Sequence, residues 1–175
     1  MLYPHNIEQK IDFQVIRDGL KGCCMSSLGK ERVDAMQWQT HYPTVRDLLA
    51  RVREMMSVLT DPSLAFPHGE IYDLREALAR IRIEGLFMDE AELFSLRKML
   101  DYAGQLERFF ATLDRVKYPL LSNSSQSERA MSSNFINNVT SAIGKIIDRY
   151  GKLRDNVAPE LARIRKEISA SQGSV

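Results

Sequence analysis

The 175 residues carry 24 Lys and Arg against 23 Asp and Glu, a formal charge of +1, and 44% of them are apolar. That is about one domain's length with enough apolar material for a core, and so balanced a charge gives no global argument for nucleic acid as a partner. No run approaches the roughly 20 apolar residues of a membrane span, no basic leader opens the chain, and Cys23 and Cys24 are adjacent, which disfavours a disulfide; the expectation is a soluble, cytoplasmic, disulfide-free protein with no membrane partner.

After Asn6, a potential cap, Phe13, Ile16, Leu20 and Cys23 or Cys24 recur at helical spacing and predict a first helix. Ser26 or Ser27 caps a shorter second helix with Leu28, Val33 and Met36 inward, ending near Trp38 to Thr40 before Pro43. Thr44 and Asp47 have capping-box spacing, and Val45, Leu48, Leu49, Val52, Met55, Met56 and Leu59 follow as a nearly unbroken stripe. Pro62, Pro67 and Gly69 predict a loop over about 61 to 70. Ile71, Leu74, Leu78 and Ile81 carry helical spacing up to Gly85.

Asp89, Glu90 and Glu92 open the next helix, whose stripe of Leu93, Leu96, Leu100, Ala103, Leu106, Phe110 and Leu113 is the longest in the chain, about six turns. Between Val116 and Asn134 the apolar rhythm vanishes around Pro119 and the run Ser122 to Ser127, which predicts a polar connection. Ile136, Val139, Ile143, Ile146, Ile147 and Tyr150 define another helix closed by Gly151. Asn156, Pro159 and Glu160 then start a last helix with Leu161, Ile164 and Ile168 on one stripe, yet only Ser171 to Val175 follow it, without the partner such a stripe needs. No run reads as a strand. The expected fold class is all-α, an antiparallel helical array with a core over 1–115, a polar linker over 116–133 and a terminal part over 134–175. In it the stripes at 45–59 and 93–113 pack on each other and on the first helix, so that Leu96→Asp or Val52→Asp destabilises the fold.

Catalytic chemistry is absent from this pattern. A phosphate-binding loop needs a glycine five residues before its Gly-Lys and a hydroxyl after it; around Gly29-Lys30 those places hold Cys24 and Glu31. His5, His41 and His68 are far apart, sit in turns and lack Cys partners, so they read as surface histidines and no metal site is expected. Cys23-Cys24 continues an apolar face, favouring packing over a redox role. The acids Asp89, Glu90 and Glu92 serve a helix start. One asymmetry remains: Lys145, Arg149, Lys152, Arg154, Arg163, Arg165 and Lys166 stand against Asp148, Asp155 and Glu160, either a phosphate-contacting patch or a solvated helix face diluted because Arg163 and Arg165 point to different sides.

Three stretches resemble the N-terminal region of the Smr-bearing branch of the MutS family, in order and over nearly the whole chain. They are Lys10-Ile11-Asp12-Phe13 with Ser27-Leu28-Gly29-Lys30-Glu31; Asp73-Leu74-Arg75 through Arg82-Ile83-Glu84-Gly85 to Glu92-Leu93; and Ala158-Pro159-Glu160-Leu161-Ala162-Arg163-Ile164-Arg165. The resemblance implies the helical core from which long lever helices rise to a DNA clamp, so the last helix is the start of a lever. It implies a longer protein pairing an ATPase (ATP and Mg2+) with an Smr endonuclease, acting as a homodimer on DNA in recombination suppression and repair, and in some bacteria on stalled ribosomes. None of those catalytic parts lies in this segment, so no cofactor and no catalysis are expected of it. The alternative is a free-standing helical interaction module whose C-terminal stripe binds a partner helix.

Overall fold

The computed structural model describes residues 6–122, 126–157 and 159–172. The expectations placed on His5, on Asn123 to Ser125, on Ala158, on Gly173 to Val175 and on the side chain of Leu161 lie outside the described residues. The fold is all-α: the described residues form helices α1 (Ile7–Lys10), α2 (Phe13–Gly22), α3 (Ser27–Asp34), α4 (Tyr42–Thr60), α5 (Arg75–Arg80), α6 (Glu90–Thr112), α7 (Pro119–Ser122), α8 (Gln126–Ile146) and α9 (Pro159–Gln172), with one isolated antiparallel bridge, Ile147 to Leu153. The chain divides into two compact units, one of Met1–Asp73 with Leu113–Asn123, the other of Leu74–Thr112 with Ser124–Val175.

In the first unit the expected opening helix is broken in two, because Asp12 takes a left-handed backbone (φ 51°) between α1 and α2. The inward face of α2 also differs from the expected one. Phe13 and Arg17 are half-buried, whereas Val15, Ile16 and Leu20 are exposed. Arg17 reaches Glu8 at 3.0 Å, donates to the Met36 carbonyl at 3.0 Å and lies over the Phe13 ring, which packs on Trp38 at 5.5 Å; one long guanidinium ties α1, α2 and the chain after α3 together. Ser26 caps α3 as expected, accepting from the Gly29 amide at 3.1 Å. Cys23 is exposed rather than packed, and Cys24 donates its thiol to the Leu20 carbonyl.

The start of α4 is a second correction. Pro43 sits inside its first turn, where its missing amide hydrogen costs nothing, and Thr44 meets the His41 ring instead of capping with Asp47. The helix buries Val58 completely and turns Glu54 inward, while Leu48, Leu49, Val52, Met56 and Leu59 are each at least half exposed. Its cover is α7: the Glu54 carboxylate accepts from the Leu120 and Leu121 amides, both at 2.9 Å, satisfying groups a helix start leaves open. Within their own units α4 packs on α7 and α6 on α8. Since Val52 is 54% exposed, Val52→Asp is now expected to melt within about 0.5 kcal/mol of the parent. A thermal melt followed by circular dichroism checks this; a large loss would mean that this face is covered.

The loop after α4 is pinned by charge. Asp61 accepts from the Lys117 ammonium at 2.7 Å, from the Ser63 amide at 3.0 Å and hydroxyl at 2.6 Å, and from the hydroxyl of buried Tyr118 at 3.3 Å. Lys117 first, then Ser63, holds the Asp61 carboxyl well below the usual carboxylate range. A carboxyl lowered on folding stabilises above its unfolded value of about 3.9 and loses that contribution as pH falls through its folded value. Asp61→Asn should thus lower the melting temperature at neutral pH, with the gap to the parent closing in strong acid. A gap constant with pH would disprove the pairing.

In the second unit α5 is shorter than expected: Ile71 and the buried Leu74 precede it, Ala77 is its buried position, and Gly85 (φ 86°) sits in a later turn. Asp89 and Glu92 form a reciprocal capping box, the Asp89 carboxylate accepting from the Glu92 amide at 2.8 Å and the Glu92 carboxylate from the Asp89 amide at 3.0 Å. Arg80 pairs with the same Glu92. The 23 residues of α6 make it the longest described helix, as the stripe predicted, with Leu96 half-buried. It runs antiparallel to α8, since Gly104 faces Ile136 while Arg97, earlier in α6, reaches Ile147, later in the chain. The polar stretch expected as a connection instead carries α7 and the opening turns of α8, whose start lacks apolar residues. The far end of α8 stops at Ile146, short of Tyr150, and Gly151 belongs to the turn beyond.

Candidate nucleic-acid interface

The basic segment begins in the last turn of α8 and runs into α9. Beyond Ile146 the chain doubles back tightly: the Asp148 amide donates to the Lys152 carbonyl and the Arg154 amide to the Ile146 carbonyl, both at 2.8 Å. The Asp148 carboxylate accepts from the amides of Tyr150 (2.8 Å) and Lys152 (2.9 Å). The Lys152 amide foremost, then that of Tyr150, holds its pKa below the ordinary carboxylate value. Gly151 (φ 83°) supplies the left-handed residue this turn requires.

The seven basic residues divide in two. Arg154 donates from Nε to the Ile147 carbonyl at 3.2 Å, and Arg165 donates to the Leu153 carbonyl at 2.9 Å and the Asp155 carboxylate at 2.5 Å, so both guanidinium groups hold the turn. They line, with Lys152, Asp148 and Asp155, an open depression of about 420 Å³ in which two carboxylates offset most of the positive charge. Lys145, Arg149, Lys152, Arg163 and Lys166 are exposed without holding the turn by their side chains, whereas Arg154 is exposed and holds it. Arg149 lies over the Tyr150 ring at 4.8 Å, and Arg163 pairs loosely with Glu167, one turn on, at 3.3 Å. Arg163 and Lys166 share a face of α9, and Arg165 turns from it toward the turn, as their spacing requires. Ile164 and Ile168 remain about half exposed.

The groups that seat this turn from α6 were missed in the sequence: Glu90, whose carboxylate accepts from the Leu153 amide at 3.2 Å; Phe94, whose ring lies against Gly151; and Arg97, which donates to the carbonyls of Ile147 (3.3 Å) and Asp148 (3.0 Å). Their spacing of four and three residues places them on one helix face, a signal hidden because the three differ in chemistry. Elsewhere, His41 and His68 are exposed, and among the described residues no group of three or more His, Cys, Asp or Glu could hold a metal ion. No helix of the described residues is long and apolar enough to cross a membrane.

Compared with known proteins, the chain is similar over 94% of its length to the endonuclease MutS2 of Geobacillus sp. (strain WCH70), 25% identical over 167 residues, and to that of Ruminiclostridium cellulolyticum, 28% identical over 167 residues. Its likeness is to the MutS2 endonucleases. The MutS2 of Alkaliphilus oremlandii aligns equally broadly, at 24% identity over 166 residues. The chain spans about a fifth of the length of these MutS2 relatives, 20% in each case. No protein-family model matches it, and no solved structure does.

Proposed function

We propose that this chain is the helical core segment of a MutS-like, ATP-driven DNA clamp, with α9 as the start of the lever that joins core to clamp. The observation that carries this is a likeness to MutS2 proteins that runs the length of the chain rather than resting on one motif. The exposed apolar row of Ile164 and Ile168 agrees with it, because a lever helix finds its partner in parts of the protein outside this segment. The segment performs no catalysis. In the longer protein its partner is DNA, in recombination and repair, with the ribosome as the family's second target and a homodimer as the working form.

Within that reading Lys145, Arg149, Lys152, Arg163 and Lys166 contact backbone phosphates, while Arg154 and Arg165 shape the surface that presents them. Binding by this chain alone should be weak and indifferent to base sequence, and it should fall steeply with salt, with a slope of roughly −0.9 per phosphate contact on duplex DNA. Arg163→Glu with Lys166→Glu should abolish it in a low-salt polarisation titration. Undiminished affinity in the double variant, or none in the parent, returns these residues to a solvated helix face. The exposed row Leu48, Leu49, Val52, Met56 and Leu59 favours a second reading, a protein-interaction module, for which a DNA-independent partner would be the sign.

A further inference from the structure

Helix α8 ends in a knuckle gripped from two helices. From α6, Glu90 takes the Leu153 amide, Phe94 lies against Gly151, and Arg97 donates to the carbonyls of Ile147 and Asp148. Both carbonyls lie just beyond the last turn of α8, where a guanidinium also opposes the negative end of the helix dipole. From α9, Arg165 uses one nitrogen to reach both the Leu153 carbonyl and the Asp155 carboxylate, on either side of Arg154. Leu153 is thus held by its amide from α6 and by its carbonyl from α9. The knuckle itself is stiff, because Ile147 is fully buried and bridged to Leu153, and the Asp148 carboxylate closes the turn internally.

We propose that this knuckle is a fixed joint that makes the direction of α9 follow α6, with Arg165 as the positioning residue that closes it. Without Arg165, α9 would hang from the short connection after Asp155 and could pivot; with it, a tilt of α9 pulls on Leu153 and so on Glu90 at the first turn of α6. Arginine suits the place because its long side chain and delocalised charge join a carbonyl and a carboxylate at lower desolvation cost than an ammonium would. The proposal rests on the lever reading only for its use in a longer protein. The joint belongs to this chain.

The test is a distance measurement between spin labels at exposed Gln105 on α6 and Lys166 on α9, in the full 175-residue chain with Cys23→Ser and Cys24→Ser. One narrow distribution is expected in the parent, widening roughly two-fold in Arg165→Ala and staying narrow in Arg163→Ala, whose side chain pairs with Glu167 on the same helix. Should Arg165→Ala lose helix content, Asp155→Asn, which weakens the same grip while keeping its shape, is expected to widen the distribution to a lesser degree. Distributions as narrow as the parent's in the informative variant, or a parent already broad, overturn the joint. No DNA enters this measurement, so failure of the nucleic-acid titration leaves the joint standing, and loss of the joint leaves that titration to be judged on its own.

Discussion

Val58→Asp should cost the chain most of its stability. Val58 is fully buried on α4, and losing its side chain from the interior forfeits about 1.5–3 kcal/mol before the charge is counted. The carboxylate replacing it would sit one turn from Glu54 and three residues from Asp61, both inward-facing carboxylates already committed to Leu120, Leu121 and Lys117. It would therefore be buried, unpaired and repelled, raising the total to about 4–5 kcal/mol or more against a typical domain stability of about 5–15 kcal/mol. Denaturant melts should show the Val58→Asp transition collapsing, with Val58→Ala intermediate and Val52→Asp near the parent. If Val58→Asp and Val52→Asp melted alike, the assignment of the two faces of α4 would be wrong.

That contrast also marks how far the sequence could be read. The stripe on α4 was conspicuous because seven apolar residues follow helical spacing, yet Val58 is not among them, and most of those residues stay exposed. Periodicity identifies a helix; it does not say which of two apolar faces its own unit covers. Here the covered face is chosen by Glu54 meeting the α7 amides, a contact between residues 66 apart that no local pattern announces. The same holds for α2, where Arg17, counted as polar, is the inward anchor and Ile16 is not. Helix α6 was legible because its capping box and long stripe are both local. The opening of α8 was not, since Gln126 to Asn134 reads as a linker on composition alone. The basic segment was legible as charge, but which of its residues hold the turn depends on where the turn places its carbonyls.

Gly151→Ala is the second substitution with a large expected cost. Its backbone is left-handed (φ 83°), and an added Cβ would lie 2.7 Å from Cγ and 3.0 Å from Cδ2 of Phe94, closer than carbon atoms can stand. Conformational strain and overpacking together amount to about 3 kcal/mol. Gly85→Ala separates the two effects, because Gly85 has a similar φ of 86° with nothing within 4 Å of the added carbon, so only the strain of about 1 kcal/mol applies. Thermal melts of both variants decide the point. Equal losses would show that the Phe94 ring yields freely and that the turn is not seated on α6.

The two units are interleaved along the chain, and this fixes the order in which they can be completed during synthesis. Glu54 and Asp61 emerge long before Leu120 and Lys117, 66 and 56 residues later, so the first unit cannot close until all of α6 has been made. At that moment α6 still lacks α8, and its inward side waits for residues around Ile147, 50 positions beyond Arg97. Closing such long loops is a slow entropic step, and each nascent unit spends that interval with its apolar side open to passing chains. A chain interrupted at Thr112 would therefore hold neither unit whole: one would lack its closing helix, the other its second half.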